Sequence, residues 1–239
     1  MNVLDANVKA TLTIIFMTIG FFIYLFTGHG AKVKNYFLEN KGPERGEISI
    51  VLFQRLLGVL FFGLIPSFFI LYLFKDNLYI HGLNTLHFKE SLLYWAVLSF
   101  ILIPINWFAS AKPDNLALYP QIKVEKWTPT LIVLSALSWL AYLFAYEFMF
   151  RGYLLFSWYH AHGPLTAITI NTSLYAFAHV HKGVKEAVGS IPLGIVLCLI
   201  SLYTGNFWAA FLTHATLALS NEWFSLYRKN RFKKRSLNG

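Results

Sequence analysis

Charge is what this 239-residue sequence most lacks. Only 13% of its residues are Asp, Glu, Lys or Arg, about half of the roughly 25% usual in a soluble domain, and that shortage excludes an ordinary water-soluble globule. Cysteine occurs once, as Cys198, which excludes an internal disulfide and a cysteine-built metal cluster and predicts a packed core thiol. There is no tandem repeat, no low-complexity tract and no H-E-x-x-H on one helix, so a zincin-type site has no support. Acidic residues number 11 against 20 basic ones, a net charge of +9. In a soluble protein that excess would suggest nucleic acid. Here the basic residues fall in loops and the tail, where membrane topology wants them, so the expected partner is membrane lipid and no nucleic acid.

What is present is apolar. Hydrophobic residues make up 56% and aromatics 18%, with a mean hydropathy of +0.53. Several runs reach the roughly 20 helical residues that cross a bilayer. The expected fold class is therefore all-α, a polytopic transmembrane helical bundle. Seven spans are read at about 10–27, 49–74, 91–109, 130–155, 164–181, 187–203 and 206–226, and the second is long enough to tilt or to break near Pro66, which would make eight. Lys9 ahead of the first run imitates a signal peptide, but no small-residue cleavage site follows, so a retained first helix is expected. The chain divides into N-terminal transmembrane helices (1–129), a core (130–226) and a basic tail (227–239). With seven spans, fifteen Lys and Arg fall on the side of the tail and three on the other, which predicts a cytoplasmic tail able to touch anionic lipid.

Ionisable side chains at membrane depth are costly and are functional hypotheses by default. The sequence places Arg55, Glu147, Arg151, His179, His214 and Glu222 there. Glu147 and Arg151, four apart in Ala145-Tyr-Glu-Phe-Met-Phe-Arg-Gly, share a helix face and can pair; a purely structural ion pair is the plain alternative. Asn171, Tyr175 and His179 recur every four residues and form one polar stripe, whereas His181 faces nearly the opposite way. Asn221 follows His214 by seven residues, nearly on the same face but about 10 Å further along the axis. Two histidines and a carboxylate on three helices fit a general base aimed at water, or a divalent-metal site such as zinc built from His179, His214 and Glu147. With these span boundaries Glu147 and His179 differ by about 18 Å in depth. A shared site therefore requires a longer, tilted fourth helix reaching Tyr159.

Glu147-Phe-Met-Phe-Arg151-Gly152, Tyr175-x-x-x-His179 and Thr204-Gly-Asn-Phe-Trp-Ala-Ala-Phe-Leu-Thr-His214 together resemble the CAAX-protease and bacteriocin-processing (CPBP, or ABI) family, related to the type II CAAX prenyl proteases. The resemblance covers about residues 130–225. It implies an intramembrane endopeptidase of a bacterial plasma membrane, acting on a membrane-associated or prenylated protein or peptide. Glu147 and His179 would activate water, His214 would hold the oxyanion and Arg151 would brace Glu147. Two positions depart from the family pattern of E-E-x-x-x-R, F-x-x-x-H and H-x-x-x-N. Tyr146 stands at the first glutamate, and Ala218 at the asparagine four beyond His214. Asn221 is the nearest replacement for the amide and Glu222 for the second carboxylate. A second reading follows from the same departures: a catalytically impaired relative that serves as a membrane binding or bacteriocin self-immunity protein.

Overall fold

The computed structural model describes residues 4–180 and 183–237, with side chains as far as residue 230; His181, expected to lie at the interface, is outside the described residues. Every regular element among them is helical. In chain order these are α1 (Ala6–Gly28), α2 (Ala31–Lys41), α3 (Pro43–Leu73), α4 (Phe88–Ala109), α5 (Pro113–Leu118), α6 (Pro129–Glu147), α7 (Leu155–His179), α8 (Val184–Thr204) and α9 (Trp208–Leu237), with a 3₁₀ turn at Leu78–His81. Five segments are long and apolar enough to cross a membrane, namely α1, α3, α4, Pro129–His179 and α8. The chain is thus an integral membrane helical bundle.

Pro66 does not divide α3. Helix continues from Pro43 to Leu73, with wider π turns at Val59–Leu64 and Phe69–Leu73 on either side of the proline. The lost N–H and the ring clash of a mid-helix proline are absorbed by locally loosened turns, as happens in membrane helices. The basic tail is helical as far as it is described. α9 runs past residue 226 to Leu237, since Lys and Arg are good helix formers.

The segment Pro129–His179 is too long for one crossing, and Gly163 divides it. Its φ of 79° lies in the left-handed region, which glycine reaches without strain, and Pro164 follows at once. The chain then folds back on itself. Asn171 Nδ2 donates to the Phe150 carbonyl at 2.6 Å, and the Tyr175 ring lies 5.2 Å from that of Phe150. Before the break, a π turn at Phe148–Leu154 joins α6 to α7 without interrupting the helix. Gly152 in that turn packs on the loop after α3, where an added Cβ would sit 2.9 Å from the His81 carbonyl oxygen. This long fourth helix supplies what the depth argument required.

Burial is inverted relative to a soluble protein. Phe100, Leu165 and Val184 are exposed, as suits a lipid-facing surface, while Glu147, Arg151, Asn171 and Asn206 are fully buried. Without a hydrophobic drive between helices, packing and interhelical hydrogen bonds hold them. The core around the site is aromatic. Tyr24, Phe62, Tyr146, Phe150 and Tyr175 form one cluster with Met17 and Met149, drawing together α1, α3, α6 and α7.

Candidate functional site

Glu147 ends α6, just before the π turn, and His214 lies two turns into α9. Their side chains meet: His214 Nδ1 is 2.6 Å from Glu147 Oε1. The carboxylate has no exposed surface, whereas the His214 side chain is 16% exposed. A carboxylate oxygen only accepts, so Nδ1 carries the hydrogen and donates it, and the lone pair of the neutral ring is left on Nε2, on the opposite ring edge.

The other carboxylate oxygen, Oε2, is 3.1 Å from Arg151 Nη1. That is an ion-pair distance without hydrogen-bond alignment, for none of the three Arg151 nitrogens finds an acceptor among the described residues. The guanidinium is instead held from one side by the Tyr175 ring, 4.0 Å from its centroid. Arg151 and Glu147 are therefore paired as the sequence spacing predicts, and the carboxylate keeps its remaining hydrogen-bonding capacity for His214.

The polar stripe of α7 lies as its spacing predicts. Asn171 ties the π turn through the Phe150 carbonyl and accepts from Cys198 Sγ at 3.2 Å. Tyr175 lies under Arg151. His179 Nδ1 donates to the Tyr175 carbonyl at 2.9 Å, which commits that ring edge to the backbone of its own helix. The rings of His179 and His214 are 6.5 Å apart. Glu147, His179 and His214, from three helices, thus converge, and the depth separation expected from the span boundaries is absent.

Both histidines line a cavity of about 760 Å³ formed by residues of α4, α5, α6, α7, α8 and α9. Its mouth carries Lys112, Asp114, Lys185 and Glu186, and its wall includes Tyr175, Ala218 and Asn221. Glu147 is behind the wall. Tyr146 packs edge-on against both imidazoles, with centroids 5.6 Å from His214 and 6.3 Å from His179. Asn221 donates Nδ2 to Asn115 Oδ1 at 3.0 Å, so its amide is committed on one side to α5.

Glu222 is not near the histidines, contrary to the expectation of a second carboxylate. It accepts from Ser135 Oγ at 3.1 Å and from the Gln121 N–H at 3.2 Å, and it lies 4.0 Å from Arg55. Asn221 and Glu222 are adjacent on one helix and face about 100° apart, so one faces the cavity and the other the bundle core. Trp139 and Asn106, also in the cavity wall, are not singled out by the sequence reading. The only signal for them is a polar-edged side chain within an apolar run.

A metal held by His179, His214 and Glu147 does not fit this arrangement. Among the described residues, no three His, Cys, Asp or Glu side chains converge as ligands. Glu147 presents one oxygen to His214 and the other to a guanidinium, whose positive charge opposes a second cation. A catalytic zinc needs three protein ligands, which this arrangement does not offer.

Residues 117–220 match the family described as type II CAAX prenyl endopeptidase Rce1-like. The match begins at the end of α5 and closes within α9, so it contains Glu147, Arg151, His179 and His214. No curated protein and no solved structure is significantly similar to the chain.

Proposed function

From a chain related through residues 117–220 to the CAAX-protease family, we propose an intramembrane peptidase whose water-activating groups are His214 and His179, with Glu147 as the positioning residue behind His214. The observation that carries this reading is the 2.6 Å bond from His214 Nδ1 to a fully buried carboxylate. A carboxylate so placed holds the imidazole in one tautomer and stabilises the imidazolium that forms when Nε2 takes a proton. The sequence resemblance gives water activation to Glu147 and oxyanion binding to His214. The burial of Glu147 supports exchanging these roles.

Water donating to His214 Nε2, beside the His179 ring 6.5 Å away, turns its lone pair toward a peptide carbonyl. As the C–O bond forms, His214 Nε2 takes a proton from the water. The same proton then passes to the leaving amine as the C–N bond breaks. The low-dielectric surroundings strengthen the attraction between the imidazolium and Glu147.

The cavity mouth lies at the end of the bundle that carries the basic tail. By the excess of Lys and Arg there, it opens to the cytoplasm. The substrate class is a peptide or protein associated with the membrane, and a prenylated one accords with the family match. Purified protein in liposomes, given fluorogenic peptides with and without an isoprenoid anchor, tests this. His214→Ala and His179→Ala are expected to lower kcat by about 10³-fold or more, and Glu147→Gln by about 10³–10⁴-fold, with KM little changed. Turnover that survives Glu147→Gln within tenfold sinks the positioning role.

A second reading rests on Tyr146. Its ring occupies space against both imidazoles, where the family pattern has a carboxylate, and a cavity so wedged suits a binding or self-immunity protein without catalysis. Saturable peptide binding by the wild type with no cleavage of either substrate selects it.

A further inference from the structure

Trp139 belongs to the same cavity but has no part in the chemistry above. It lines the wall with Tyr175, His179, His214, Ala218 and Asn221 and is only 5% exposed. Its Nε1–H finds no acceptor among the described residues. Buried polar groups are nearly always hydrogen-bonded, so an orphaned donor at a cavity wall requires a reason.

Its level in the bundle is fixed. α6 and α9 run antiparallel and are pinned at two heights, by Glu147 on His214 and by Ser135 on Glu222. Trp139 lies between these heights, opposite residues 218–222, and packs in one cluster with Ala215 and Ala218. Ala218 presents only a methyl group there, so α9 gives the indole nothing to bond.

Arg55 lies 4.3 Å from the indole centroid. It is fixed by Nη1 bonds to the Ser135 carbonyl at 2.8 Å and Ser138 Oγ at 2.7 Å, and by an Nη2 bond to Gln121 Oε1 at 3.1 Å. A cation over the ring face is attracted by its π electrons and, by drawing on them, makes the N–H a stronger donor. In the same wall Asn221, having given Nδ2 to Asn115, leaves its own Oδ1 without a donor. One unused donor and one unused acceptor in a single wall complement a secondary amide.

We propose that Trp139 and Asn221 form an amide-binding site in this cavity, the indole N–H donating to a backbone carbonyl and Asn221 Oδ1 accepting the backbone N–H. Both atoms lie just beneath the wall, so binding includes a small tilt of the two side chains. The site rests on the peptidase reading and names how its substrate backbone is held, one helical level below the histidines.

The test is binding, read separately from turnover. Protein labelled with ¹⁵N-tryptophan, in detergent micelles, is titrated with N-acetyl-leucine N-methylamide. The indole signal missing from Trp139→Phe identifies Trp139, and the other tryptophans serve as controls. The Phe variant keeps a ring beneath Arg55. The expected result is a saturable downfield shift of the Trp139 signal. Probe affinity, read on the probe's own resonances, is expected to fall about tenfold in Trp139→Phe, the ratio a hydrogen bond of about 1.4 kcal/mol produces. N-acetyl-N-methyl-leucine N,N-dimethylamide, which has no N–H, is expected to bind the wild type about fivefold more weakly than the parent probe, and to bind Asn221→Leu no more weakly than the parent does. A stationary Trp139 signal, equal affinity in Trp139→Phe, or no saturable binding overturns the site. Turnover with a stationary indole signal removes this site and leaves the peptidase. A moved signal without turnover removes the peptidase and leaves the site.

Discussion

Arg55 and Arg151 are both guanidiniums buried among apolar helices, both lie over an aromatic ring, and both face one carboxylate. They differ in how the rest of their hydrogen-bonding capacity is spent. Arg55 is bonded to Ser135, Ser138 and Gln121, and its carboxylate partner Glu222 has two further donors of its own. Arg151 has no hydrogen bond among the described residues, and Glu147 keeps an oxygen for an imidazole that lines the cavity. A largely bonded cluster, in which only Arg55 Nε lacks an acceptor among the described residues, fixes helices. An unsaturated one leaves a charge with capacity to spare, which the proposed peptidase role would use.

The largest expected effect comes from breaking the unsaturated pair. Arg151→Met leaves Glu147 charged, buried and without its counter-ion, and removing one partner of such a pair costs about 3–5 kcal/mol. The double variant Arg151→Met/Glu147→Gln removes the stranded charge and is expected to recover more than half of that loss. Thermal or denaturant unfolding of the purified protein in detergent checks both. If the double variant is no more stable than the single, Arg151 does not act through Glu147.

The more fully bonded cluster should give less. Arg55→Met orphans Gln121 Oε1, but Ser138 Oγ still donates to the Ser135 carbonyl, and Glu222 retains Ser135 Oγ and the Gln121 N–H. The expected loss is about 2–3 kcal/mol by the same measurement, with turnover of the protein that remains folded reduced far less than by Glu147→Gln. Equal losses for Arg55→Met and Arg151→Met would erase the distinction between the clusters.

How much of this contrast was legible in the sequence depends on whether an interaction lies within one helix or between two. Glu147 with Arg151 and the stripe Asn171, Tyr175, His179 repeat every four residues, and helical spacing alone places each set on one face. Gly163-Pro164 marks the turn between spans for conformational reasons that any reader of φ preferences can apply. The partner of Glu147 lies 67 residues away, and spacing carries no information on which helices become neighbours. Glu222 was misdirected for the same reason: its facing on α9 was readable, but Arg55 and Ser135 opposite it were not. The π turn at Phe148–Leu154 compounds the difficulty. It inserts extra backbone into the helix, so a face counted at 3.6 residues per turn no longer predicts direction beyond it. Tyr146 and Ala218 were recognised as departures only through the family resemblance, and the indole opposite Ala218 appears only once α6 and α9 are in register.

A third charged cluster, joining the first turn of α1 to the loop after α3, sharpens the comparison at its weak end. Lys9 Nζ meets Asp76 Oδ1 at 2.6 Å, and His81 Nε2 stands 3.5 Å from Asp76 Oδ2. Burial alone would raise the Asp76 pKa, but the neighbouring His81 and the bonded Lys9 outweigh it and hold the carboxyl below its ordinary value. Burial lowers the His81 pKa, and the nearby charges of His160 and Lys9 add to that, while Asp76 opposes it. Both shifts have the same sign for stability. Each depressed group contributes fully above its unfolded pKa and loses that contribution as pH falls through its folded pKa. Acid destabilisation should therefore begin in the ordinary histidine range, through His81, and resume from the ordinary carboxylate range downward, through Asp76. Melting curves between pH 7 and pH 5 are expected to show a decline that His81→Gln flattens. Asp76→Asn at pH 7 should cost only about 0.5–1 kcal/mol, the scale of a partly exposed pair. A loss as large as that of Arg55→Met would mean that water does not screen this cluster, and that it belongs with the buried arginines rather than in contrast to them.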